Sequence, residues 1–112
     1  MLAIRKQYPI LLMSTTNALS FEWDPRKAQS NAAKHGVTFD EARSVFYDEE
    51  ALIIPDPDHS IAEERFVIMG MSISLRVLVV VHCLRDNNQV IRIISARKAG
   101  TKEKQPYKKK TK

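Results

Sequence analysis

Hydrophobic and polar positions alternate along this chain in two rhythms. Between residues 25 and 46 the apolar residues recur every three or four positions, the repeat of an amphipathic helix. From 64 onward they run in β-branched blocks cut by polar clusters, the mark of strands and turns. In the first region Asp24 can cap, Pro25 suits the first helical position and Gly36 suits a left-handed stop, so the spacing predicts a helix over about 25–35. Its stripe is thin, Ala28, Ala32 and Ala33, and calls for close contact with a neighbour. "VTFDEARSVF" then opens a second helix of about nine residues through a capping box from Thr38 to Glu41. Val37 and Ala42 occupy the staple positions, and Phe39, Ala42, Val45 and Phe46 make one apolar face.

Before the helices, "FEW" suits an edge strand; after them, "EALIIPDPDHS" runs from a short strand into a loop broken by Pro55 and Pro57. Three β-rich blocks follow, "ERFVIMGMS", "RVLVVVHCLR" and "QVIRIISAR", at the spacing of an antiparallel meander. Asn87 and Asn88 tolerate the positive φ of the second hairpin turn. Pro106 interrupts "TKEKQPYKK", so the chain ends in a short helix or a frayed tail. The fold class is therefore α+β, with two N-terminal helices packed on a small antiparallel sheet.

Strand parity sorts the polar residues by face. Val77, Val79, Val81 and Cys83 form a purely apolar side, expected to meet the helices, while Arg76, Leu78, Val80, His82 and Leu84 form the other. Ile91, Ile93, Ser95 and Arg97 share one side of the last strand, and Val90, Arg92, Ile94 and Ala96 the opposite one. Phe66 and Ile68 oppose Arg65, Val67 and Met69. The helix-free side then carries Arg65, Arg92 and His82 among apolar residues. A guanidinium cannot shed its charge, so two readings stand open. One is a groove for a polyanion; the other is ion pairing, Arg65 with Glu63 or Glu64, Arg92 with a cross-strand carboxylate, and His82 as a half-buried edge histidine.

The 112 residues make one small domain, and 44% hydrophobic content separates it from disordered chains. A single cysteine, Cys83, excludes an internal disulfide and any Cys-based zinc site, which fits the cytoplasm. The apolar patch "YPILLM" is too short for a membrane span. Residues 1–20 read as an extension, since Met13 would itself make a natural start, and a signal peptide is the weaker reading. The net charge of +5 is unevenly placed: residues 98–112 hold seven lysines against one glutamate, and 21–97 nine basic against twelve acidic residues. The body is not basic, and the lysine tail is either a solvated end or a source of non-specific RNA affinity. Asp56, Asp58 and His59 are near enough in sequence to hold a divalent ion, although a turn explains them equally. No phosphate-binding loop, dinucleotide turn, zinc spacing or nucleophile elbow is present, so neither cofactor nor metal is expected.

Together "FEWDPRKAQSNAAKHGVTF", "DEARSVF", "DPDHS", "EERFVIMGMS", "RVLVVVH" and "RIISARKA" resemble the BrnT family of bacterial type II toxins over about residues 21–107. The resemblance implies a RelE/ParE-like fold, a ribonuclease that stops translation, and an antitoxin of the BrnA kind with a ribbon-helix-helix domain. It further implies a toxin–antitoxin hetero-oligomer that reaches operator DNA only through the antitoxin. The domains would be an extension at 1–20, a toxin domain at 21–100 and a lysine-rich tail at 101–112. Leu75 stands where the family has a glycine before Arg76, and Pro106 enters the C-terminal helix that keeps Glu103 and Tyr107.

RNA carries its own nucleophile, the 2′-hydroxyl, so cleavage needs only in-line placement, proton transfer and charge to offset the phosphorane. Arg65, Arg92 and Arg97 are the candidates for phosphate binding and transition-state stabilisation, with His35 or His82 as proton carrier. Lys34, Arg76, Arg85 and Lys98 are candidates for holding RNA. Lys34, His35, Arg65, Arg92 and Arg97 match the family pattern, whereas His82 comes from the face assignment alone. Competing readings are a non-catalytic antitoxin-binding partner and a ParE-like gyrase inhibitor.

Overall fold

A computed structural model of the chain describes residues 19–56 and 64–110. The expected extension at 1–20 lies almost wholly outside them, as do Asp58 and His59. In order come β1 (Ser20–Glu22), α1 (Pro25–His35), α2 (Phe39–Ser44) with a 3₁₀ turn at Val45–Tyr47, β2 (Leu52–Pro55), β3 (Phe66–Met71), β4 (Val77–Arg85), β5 (Val90–Lys98) and α3 (Gln105–Lys110). None of these helices is long and apolar enough to cross a membrane.

The punctuation read from the sequence builds the helices. Asp24 accepts from the Arg26 N–H at 2.9 Å, Pro25 opens α1, and Gly36 closes it at φ 68° with its N–H on the Ala32 carbonyl. Thr38 caps α2 by accepting from the Glu41 N–H at 3.0 Å, but the box is only half made. The Glu41 carboxylate turns instead to Arg76 and Ser72, and those bonds hold its pKa below the usual carboxylate range. Pro106 does not fray the C terminus: it sits at the second position of α3, where a helix needs no N–H from it.

The sheet is ordered β1-β5-β4-β3-β2. The three later strands form the expected antiparallel meander, and β2 joins β3 antiparallel, but β1 runs parallel to β5, which makes the sheet mixed. Asp86, Asn87 and Asn88 all take positive φ in the β4–β5 turn.

Both faces of the meander are apolar, so alternation alone does not say which one meets the helices. The structure reverses the expected choice. Ile68, Leu78, Val80, Ile91, Ile93 and Ala96 meet Val37, Phe39, Ala42, Val45 and Phe46 in the core. Val77, Val79 and Val81 point away from it. The reason is room: a Cβ at Gly70 would lie 3.0 Å from Ala51 Cβ and 3.1 Å from Val45 Cγ1, so the chain of α2 and its 3₁₀ turn comes down on the face that lacks a side chain there.

Candidate functional site

A bulge in β5 decides where the arginines fall. Val81 pairs with Ser95 but His82 pairs with Ile93, leaving Ile94 as the extra residue. Strict alternation put Arg92 and Arg97 on opposite sides; the bulge returns both to the side away from α1 and α2, opposite Cys83 and Val79 respectively. That face is laid out in rows. Leu52, Met69, Val79 and Arg97 form one, Ile54, Val67, Val81 and Ser95 the next, and Cys83, Arg92 and Glu22 a third. The Asp56 N–H donates to the Arg65 carbonyl at 2.9 Å and extends the β2–β3 ladder, carrying Asp56 and Arg65 onto the same face toward the third row.

The middle of the face is an apolar groove of about 260 Å³ lined by Leu52, Ile54, Val67, Met69, Val79, Pro106 and Glu103. It runs on into a hollow bordered by Asp56, Val81, Ser95 and Arg97. Strand geometry spreads Arg92 and Arg97 along about 15 Å and sets Arg65 two strands, about 10 Å, from Arg92. The arginines therefore edge a strip rather than surround one point.

Acids accompany them. Arg97 Nη1 and Nη2 each donate to Glu103, both at 2.7 Å, in a bidentate pair a little under half exposed. The Gly100 N–H adds a third bond to Glu103 Oε1 at 2.9 Å. Arg97 and then Gly100, against the opposing effect of burial, hold the Glu103 carboxyl down at about 2. Arg92 Nη1 donates to Glu22 at 2.7 Å across the parallel β1–β5 pair. Each of these two cations thus sits beside an anion, as the ion-pair reading expects, while also sharing one face, as the groove reading expects.

The remaining candidates divide. His82 is not on the open face: it is fully buried, its ring edge-on to Phe46 at 4.8 Å and tilted to Phe66 at 6.1 Å, and burial lowers its pKa to about 4. A sealed imidazole cannot exchange protons with a bound substrate, so His82 leaves the candidate set. Arg76 belongs to the helix side, bonded to Glu41 and, at 3.1 Å, to the Gly36 carbonyl. Lys34 and His35 end α1 on that side too, the former exposed and the latter half-buried. Lys98 is exposed opposite Leu78, and exposed Arg85 closes β4 with its Nε 3.5 Å from Cys83 Sγ. Among the described residues no three His, Cys, Asp or Glu gather as metal ligands would.

Sequence reading missed Glu22 and Glu103 as the partners of Arg92 and Arg97, because a parallel register and a chain reversal at Gly100 leave no local signal. It also missed Asp48, whose Oδ2 accepts from the Met71 N–H at 2.7 Å and from the Tyr107 hydroxyl at 2.6 Å, tying α3 to the sheet. The retained Tyr107 was the available clue.

Comparison with known proteins places this arrangement. Residues 23–103 match the family model described as the ribonuclease toxin, BrnT, of type II toxin–antitoxin systems. The fold is similar to the 1.1 Å crystal structure of the Brucella abortus ribonuclease toxin BrnT, with a TM-score of 0.58 and 23% identity, over 75% of this chain and 100% of that one. No curated protein matches. Motif order, strand arrangement and a family match spanning most of the chain converge, and the chain belongs to the BrnT family of ribonuclease toxins.

Proposed function

We propose that the chain is a metal-independent endoribonuclease of RelE/ParE-like type that stops translation, and that the antitoxin its type II system implies is a BrnA-like ribbon-helix-helix protein. The observation that carries this reading is the placement of Arg65, Arg92 and Arg97 on one face, beside an apolar strip that water leaves readily. In such a setting fixed cations act on a phosphate more strongly than they would in bulk water.

The RNA 2′-oxygen attacks phosphorus, its proton passes to a carboxylate of the face, and the P–O5′ bond breaks as the 5′-oxygen takes a proton from water, leaving a 2′,3′-cyclic phosphate. Arg97 offsets the charge gained by the phosphorane, and Arg92, farther along the strip, holds a neighbouring phosphate. Exposed Arg85, on the same face of β4 as Val81 and Cys83, holds a flanking phosphate, a term that weakens with salt, whereas Lys98 shares the opposite face with Leu78 and takes no part. The hetero-oligomer reaches operator DNA through the antitoxin.

The pairing of Arg92 with Glu22 and of Arg97 with Glu103 favours a second reading, in which these residues only clasp the antitoxin. Inducible expression in bacteria, with and without a co-expressed BrnA-like antitoxin, separates the two. Ribonuclease action gives growth arrest with loss of protein synthesis, reversed by the partner and abolished by Arg97→Ala. Unaffected growth on expressing the wild type, with Arg97→Ala merely loosening the complex, favours the clasp. Arrest with DNA damage and intact mRNA contradicts both.

A further inference from the structure

Glu103 does more at Arg97 than balance a charge. Its two oxygens each meet one terminal nitrogen of the guanidinium fork at 2.7 Å, and the Gly100 N–H reaches Oε1 at 2.9 Å. Three N–H groups thus converge on one oxyanion. A carboxylate and a phosphodiester present the same feature to such a fork, two oxygens on one atom sharing a negative charge, and the fork binds either bidentately. The site also opens correctly for a nucleotide: Glu103 borders both the apolar groove and the hollow that holds Ser95, Val79 and Val81, so a ligand replacing it would find an apolar strip beside its anion.

The carboxylate reaches this place because the chain folds back after β5. The Ala99 N–H donates to the Val77 carbonyl at 2.9 Å, the Lys104 N–H to the Gly100 carbonyl at 3.1 Å, and Tyr107, only 5% exposed, bonds Asp48 beside β3. The strap is held at both ends, with Glu103 between them. Its acid is exposed enough, at 37%, to leave by side-chain rotation or by release of the Tyr107 end.

We propose that the three donors around Glu103 are an oxyanion site for an RNA phosphodiester, and that Glu103 occupies it as a built-in substitute which the substrate phosphate must displace. This rests on the reading of Arg97 as a phosphate ligand. The resting protein is therefore partly self-inhibited: RNA competes with a tethered carboxylate, and whatever loosens the strap raises affinity. Ionisation of Glu103 makes the substitute persistent at neutral pH.

The test uses the full chain and an uncleavable 2′-deoxy dinucleotide, so that a protein without ribonuclease activity still gives an answer. Binding is followed by the NMR shift of the Gly100 amide in wild type, Glu103→Gln, Tyr107→Phe, and Glu103→Gln combined with Arg97→Ala, and also by the Arg97 Nε–H in the three proteins that keep Arg97. The expected result is about tenfold tighter binding for Glu103→Gln, the scale set by removing one charge-assisted competitor, with a smaller gain for Tyr107→Phe. The gain disappears when Arg97→Ala is added. Binding by Glu103→Gln no tighter than by wild type, or a gain that survives Arg97→Ala, overturns the proposal, as does an absence of binding throughout. If Glu103→Gln does not fold, Tyr107→Phe decides by the same criterion. Failure of RNA cleavage with this pattern intact would sink the ribonuclease reading alone.

Discussion

β1 accompanies β5 only as far as Arg92, and beyond it the amide of Asn31 in α1 serves where a neighbouring strand would. Asn31 Oδ1 accepts from the Ala96 N–H at 3.0 Å, and Nδ2 donates to the Ala96 carbonyl at 2.8 Å and to the Val37 carbonyl at 2.9 Å. Nothing in the helical pattern marks Asn31, since two of its three bonds go to backbone atoms of Ala96, 65 residues away. Asn31→Ala leaves those buried groups unsatisfied and should cost ~2–3 kcal/mol, read by urea denaturation. His82 makes a second prediction at this scale. Its pKa falls from 6.5 in the unfolded chain to about 4 in the folded one, so the unfolded state takes up the proton first. The stability is fully present above pH 6.5 and is lost as pH falls toward 4, by up to ~3 kcal/mol for one buried histidine. His82→Leu should flatten that acid limb in denaturation curves taken between pH 7 and pH 4.

Among the elements, the two hairpins show how far sequence carries. The β4–β5 turn was readable because Asp and Asn take positive φ readily. At the β3–β4 turn Leu75 adopts φ 62° while 82% exposed, a conformation that suits glycine and gains nothing from the leucine side chain. Leu75→Gly should therefore stabilise the protein by ~0.5–1 kcal/mol, seen as a higher denaturation midpoint; no change would mean the turn relaxes in solution. Helix limits followed from Pro25, Gly36 and Thr38, whose side chains or missing atoms act locally. Face assignment failed because it depends on things pattern does not carry. The bulge at Ile94 falls between Ile93 and Ser95 with no glycine or proline to mark it, and helix placement was decided by the space over Gly70 rather than by polarity.

At the scale of the whole molecule, the candidate site was legible as residue types but not as an assembly. Arg65, Arg92 and Arg97 stand out as candidates by their oddness in β-rich segments, and their common face exists only because of the bulge. His82 was included wrongly because its strand neighbours gave no hint that Phe46 and Phe66 would close over it. Charge followed the same division: the lysines after Gly100 looked like a solvated tail, yet that segment returns Glu103 and Tyr107 to the sheet. The account stands on cleavage by fixed guanidiniums and the RNA's own 2′-oxygen. Incubating the purified full chain with RNA in the presence and absence of EDTA, and identifying the 3′ ends of the products, tests this most directly. The account predicts 2′,3′-cyclic or 3′-phosphate ends, formed equally with EDTA and lost in folded Arg97→Ala. Cleavage that EDTA abolishes, or that leaves 3′-hydroxyl ends, would contradict it.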